Sequence, residues 1–194
     1  MGQRSQIYVR YTTDNGKHFL TARYHQWNYG ERMISRCRSI MEWIEENKCF
    51  AFYLTTDTAK LKRIIDVNFD YHDVVIGDDI VDEYYEYCNN NDDFAEWVFK
   101  RQDNNDGKLF IDVTNTGIKY AFLNTECQTD DIMDAKAYLK WDFPDFDTYL
   151  DIDDEIKTMT YENIERINEM AELMTETELN DFISCKFENE NRSV

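Results

Sequence analysis

The chain of 194 residues holds one proline, six glycines and three histidines, and each scarcity excludes something. With so little proline and glycine there is no flexible or polyproline linker, and no internal repeat or low-complexity tract divides the chain. A single domain over residues 1–194 is expected, with 1–125 as an α+β core, 126–190 as a helical C-terminal part and 191–194 as a frayed tail. His18, His25 and His72 show no HExxH, HxH or Cys-His spacing, and neither GxSxG nor a phosphate-cradling glycine loop occurs. Zinc chemistry and nucleophilic hydrolysis therefore have no visible support, no cofactor is expected, and His25 beside Trp27 reads as a packed loop residue. Cys37, Cys49, Cys88, Cys127 and Cys185 form no CxxC pair, which argues for a reducing compartment rather than a disulfide framework. No apolar run approaches the ~20 residues that span a bilayer. The opening MGQRSQIYVRY lacks the apolar core of a signal peptide, and Gln6 stands where a myristoylation motif needs Ser or Thr. A cytoplasmic protein without membrane contact is expected.

Positive charge is also short. Lys and Arg total 21 against 40 Asp and Glu, a net charge of -19, so the molecule as a whole should repel nucleic acid. The imbalance is uneven, because residues 1–41 hold seven Lys/Arg and two acids, leaving the acidity to the other 153 residues. What the chain has in quantity is apolar and aromatic residues, 42% and 15%, enough to build a core despite the charge.

Residues 3–11 and 17–24 alternate with β-branched and aromatic residues around Asn15-Gly16, which predicts a β-hairpin. From Glu31 to Asn47, Met33, Ile34, Cys37, Ile40, Met41 and Ile44 recur at helical intervals and predict a long amphipathic helix. CFAFYL at 49–54 is ambiguous; TAKLKRIIDV reads as a helix, and VVIG leads into an acidic helix, DDIVDEYYEYC. From Phe94, AEWVFKR, KLFIDVT and IKYAFL read as an antiparallel β-meander with Gly107 and Gly117 in its turns. Beyond Asp130 the expectation is helical: DIMDAKAYLKW, an irregular acidic link DFPDFDTYLDIDDEIK, YENIERINEMAEL, and TETELNDFISCKF opened by a Thr175–Glu178 capping box. The fold class is α+β.

Candidate chemistry is sparse. QDNNDGKLFID places Asn104, Asp106, Gly107 and Leu109 like half of a calcium loop, but Gln102 and Val113 occupy the two strongest ligand positions, so a hairpin turn is the better reading. Pro144-Asp145 followed by Glu155-Ile156-Lys157 fits the loose pattern of a metal-dependent nuclease, with Asp145 and Glu155 on the metal and Lys157 orienting water. Arg4, Arg10, Arg23, Trp27, Arg32 and Arg36 could present guanidinium groups and a stacking ring to nucleic acid, or could pair with acids of the same molecule. Asp78, Asp79, Asp82 and Glu83, with Asp151, Asp153, Asp154 and Glu155, form two acidic segments. Their carboxylates could imitate phosphates and occupy a basic groove on a partner.

MGQRSQIYVRY, YHQWNYGERMISR and DNNDGKLFIDV resemble stretches of a family of small proteins carried by phages and mobile elements of Gram-positive bacteria. Within that setting the chain resembles a type II-A anti-CRISPR protein, an inhibitor of Cas9. The resemblance implies a partner of large positive potential in the bacterial host cytoplasm, Cas9 or its guide RNA complex. The expected function is non-catalytic inhibition of DNA engagement through acidic surface. The alternatives are a nuclease acting on guide RNA or DNA, and an acidic phage adaptor for another host protein.

Overall fold

The computed structural model describes residues 3–46, 78–88, 94–100, 105–126 and 129–188. CFAFYL, TAKLKRIIDV and VVIG lie outside the described residues. The hairpin forms as the alternation predicts: β1 (Arg4–Thr12) and β2 (His18–Gln26) pair antiparallel, and Gly16 turns between them at φ 77°. The amphipathic stretch forms α1 (Gly30–Glu46). After β3 (Asp78–Asp79) come α2 (Val81–Cys88) and α3 (Phe94–Lys100), then β4 (Lys108–Thr114) and β5 (Gly117–Leu123). The last third holds α4 (Ala135–Asp142), a 3-10 turn at Phe146–Thr148, α5 (Asp154–Met170), β6 (Ala171–Leu173) and α6 (Glu176–Ser184).

One six-stranded mixed sheet runs in the order β3-β2-β1-β4-β5-β6. Its centre is a parallel junction of β1 with β4, and β6 joins β5 in parallel at one edge; the other pairs are antiparallel. Alternation along each strand feeds two cores. Ile7, Val9, Leu109, Ile111, Tyr120 and Phe122 pack against α1, α4 and α5. Tyr8, Leu20, Phe110, Ala121 and Leu123 pack against α2, α3 and α6 on the opposite face. The architecture is α+β with a helical C-terminal region, as expected.

Several local readings change, among them that the irregular link expected through Lys157 turns helical from Asp154. FAEWVFK is a helix rather than the first strand of a meander, because Phe94, Trp97 and Val98 at i, i+3 and i+4 all reach one core. β4 takes β1 as its second neighbour instead. The helix expected to continue to Leu173 ends at Met170, where Ala171–Leu173 joins the sheet edge. Asp78–Asp79, read as the start of an acidic helix, pairs with Tyr24 and Arg23 of β2. The capping box at Thr175 is present in both directions.

Gly107 stands at φ 81° where the chain enters β4, and a Cβ there would collide with the Leu123 carbonyl oxygen and crowd Trp141 and Tyr138. Gly16 has a similar φ but open space around it. Gly107→Ala is therefore expected to lower stability by on the order of 2 kcal/mol or more, and Gly16→Ala by about 1 kcal/mol, in urea unfolding followed by circular dichroism. Equal midpoints for the two variants would show that the close approach of backbone at Gly107 carries no cost.

Candidate functional site

Three basic residues of the N-terminus, Arg10, Arg23 and Arg36, are buried. Arg10 lies opposite Asp112 across the β1–β4 junction, donating from Nε and Nη2 at 2.8 and 2.7 Å, while Nη1 reaches Asp181 of α6 at 2.8 Å. Its guanidinium also lies 4.8 Å over the Phe182 ring. Burial opposes its charge, but the bonds and ion pairs with Asp112 and Asp181 outweigh that and raise its pKa. Arg23 is buried in β2 and donates to the Ala22 carbonyl at 3.2 Å. Arg36 is fully buried on α1, with Nε 3.4 Å from Asn28 Oδ1. These three were candidates for nucleic-acid contact, and the fold removes them from the surface: helices cover the sheet faces that carry Arg10 and Arg23, and Arg36 lies among the buried residues of α1. His25 belongs to β2 rather than a loop. It is fully buried, and burial followed by the nearby Arg36 and Arg23 charges holds its pKa well below the usual value.

The other N-terminal candidates remain near the surface. The Arg4 backbone N–H donates to the Asp106 carboxylate, so the would-be calcium-loop ligand is a structural acceptor. Arg32 lies 5.3 Å over the Tyr29 ring and donates to the Trp27 carbonyl at 3.2 Å. Trp27 itself is 54% exposed at φ 60°, a left-handed conformation costly for a large side chain. It is held there by its N–H donating to the Gln3 carbonyl at 2.8 Å and by the Arg32 contact.

The two acidic segments do not meet on one face. α2, which carries Asp82 and the exposed Glu83, covers the sheet face opposite α5. Asp151, Asp153, Asp154 and Glu155 all stand exposed at the start of α5. Asp145 precedes the 3-10 turn, and Glu155 and Lys157 lie in the first turns of α5. A separation of two residues on a helix turns the side chains to different sides, whereas the nuclease arrangement needs a strand to align them. Lys157 instead donates to the Asp147 carbonyl at 3.0 Å. Among the described residues, no cluster of three or more His, Cys, Asp or Glu is placed to hold a metal ion.

What the fold does bring together is the loop after β2 and the acidic link after α4. Asp142 Oδ2 accepts from the Gly30 N–H at 2.6 Å, so the end of α4 holds the start of α1. The Tyr138 hydroxyl lies 2.8 Å from the Asp106 carbonyl oxygen and 3.1 Å from Asp142 Oδ2, within reach to donate to either. On top of this buried support runs a chain of rings: Tyr29 to Phe143 at 6.4 Å and Phe143 to Tyr149 at 5.2 Å. Tyr149 and Leu150 are exposed among the acids of the link. The cluster was invisible in sequence because it joins residues more than 100 positions apart; the isolated apolar Leu150 within DTYLDIDD was its one local signal.

A separate cleft of about 1040 Å³ lies between β5, the end of α5 and α6, lined by Arg10, Asp112, Lys119, Glu178 and Asp181. Its two cations are held by acids of its own lining: Arg10 by Asp112 and Asp181, and Lys119 by Glu178 at 2.5 Å and Glu172 at 3.6 Å. Among the described residues, no helix is long and apolar enough to cross a membrane. No family model, curated protein or solved structure matches the chain.

Burial, opposed by the Gly30 hydrogen bond and reinforced by Asp106, pushes Asp142 up to about 7; burial likewise takes Asp106 to about 6. An unfolded aspartate titrates near 4, so between about pH 4 and 7 the native carboxyl of Asp142 keeps a proton that the unfolded chain has lost. This contribution makes stability fall as pH rises through that window and level off above it. Asp142→Asn retains an acceptor for Gly30 without a charge. It is expected to be more stable than the wild type at pH 8, by on the order of 1 to 3 kcal/mol, with the gap closing toward pH 5. Parallel urea titrations across pH test this; a constant gap would mean that Asp142 does not titrate there.

Proposed function

We propose that the protein is a non-catalytic ligand that docks its acidic surface into the basic groove of a nucleic-acid-binding protein and blocks engagement of DNA. Cas9 with its guide RNA, the partner implied by the resemblance, is the first to test. The observation that supports the reading is the sorting of charge. Arg10, Arg23 and Arg36 are buried, whereas Asp151, Asp153, Asp154 and Glu155 stand together in solvent, so the start of α5 presents a run of carboxylates to a partner. Such a surface speeds encounter with a positive groove and makes binding sensitive to salt. The nuclease alternative loses support from the helical placement of Glu155 and Lys157. An adaptor for another basic host protein rests on the same chemistry and differs in which partner is captured.

The test is capture of purified Cas9–guide complex by the tagged protein at low and high salt, with the guide examined on a gel and DNA cleavage assayed. Expected are an intact guide, capture that weakens with salt and loss of cleavage with the protein in excess. Unchanged cleavage and no capture would remove Cas9 as the partner. A shortened guide would revive the nuclease.

A further inference from the structure

The link between α4 and α5 contains five apolar residues: three are spent on the fold, Tyr149 rests against the Phe143 ring, and Leu150 stands almost wholly in water. Phe146 is buried in the core, and Phe143 and Ile152 pack against that core from either side. Backbone bonds from Phe146 N–H to the Phe143 carbonyl at 3.1 Å and from Thr148 N–H to the Asp145 carbonyl at 3.0 Å tighten the turn. From α5, Tyr161 donates its hydroxyl to Asp147 Oδ1 at 2.7 Å and Lys157 donates to the Asp147 carbonyl. The loop is thus fastened at its base and from one side. Out of it projects Leu150, 96% exposed, beside Tyr149 at 44%.

We infer that Tyr149 and Leu150 form the apolar anchor of the partner interface, inserting into a protein pocket bordered by Arg and Lys. This rests on the proposed function and names the part of the surface that would carry affinity. A leucine left almost wholly in water contributes nothing to the fold, whereas burying it in a partner pocket is favourable. The fastening of the loop limits the conformational entropy lost on binding. Charge selects the occupant. Asp147, Asp151, Asp153, Asp154 and Glu155 flank the anchor, so a second copy of this chain, an anionic lipid surface or a nucleic acid would meet like charge, and a basic protein surface would not. Steering by the acids and anchoring by the apolar pair are separable, because the first is screened by salt and the second is not.

The experiment compares three proteins for binding to the Cas9–guide complex across a salt series: wild type, Leu150→Ser, and the double variant Asp151→Asn with Asp153→Asn. Leu150→Ser keeps the charge, and its thermal melt should match the wild type because the side chain packs on nothing. It is expected to bind about tenfold more weakly or worse with an unchanged salt slope, while the Asp variant shows a shallower slope. If the wild type binds with salt sensitivity and Leu150→Ser binds equally well, the anchor is overturned and the acidic-ligand reading stands. If the wild type does not bind, Cas9 is removed as the partner and the anchor is overturned for that complex. Wild-type self-association lost in Leu150→Ser, seen by light scattering, would also overturn the inference by making the occupant a second copy.

Discussion

Arg10 and Asp112 face each other across the parallel junction at the centre of the sheet, and their two hydrogen bonds, with a third from Arg10 to Asp181, join three parts of the chain. The junction sets the register in which Gln6 to Tyr11 lie beside Lys108 to Val113, and so aligns the N-terminal hairpin with the β4–β5 hairpin as one surface. Removing one partner of such a buried pair leaves the other charge desolvated, which commonly costs about 3 to 5 kcal/mol. α6 reaches this site from above through Asp181 and Phe182, so the helix that ends the described chain is tied to the strand that begins it.

Much of this arrangement was legible where local forces decide. Asn15-Gly16 announces the first hairpin, the spacing from Met33 to Ile44 announces α1, and Thr175 with Glu178 announces the last helix. FAEWVFK was misread because seven residues satisfy either period, and only the presence of a core on one side decides between them. β3 and β6 are two and three residues long, too short to carry a pattern of their own. The pairing of β1 with β4 is non-local and has no sequence signature at all.

The candidate site followed the same division. Acidic and arginine-rich stretches are visible as composition, but composition does not say which side of a strand a residue faces. Arg10 and Arg23 lie on opposite faces of the sheet, so a sheet open to water on either face would have left one of them at the surface; both became interior residues because helices cover both faces. The support beneath the exposed rings, with Gly30, Asp106, and Tyr138 and Asp142 of α4 from three separate parts of the chain, exists only once the sheet has formed.

The distance along the chain between β1 and β4 also bears on how the molecule is made. Their partners are separated by 102 residues, so a ribosome that has released the first hairpin needs a further 5 to 20 seconds or so, at typical synthesis rates, before the strand that flanks it emerges. During that interval β1 has one neighbour in place of two, and its apolar residues on both faces await their covering helices. The nascent hairpin thus carries an unpaired strand edge until β4 has been made.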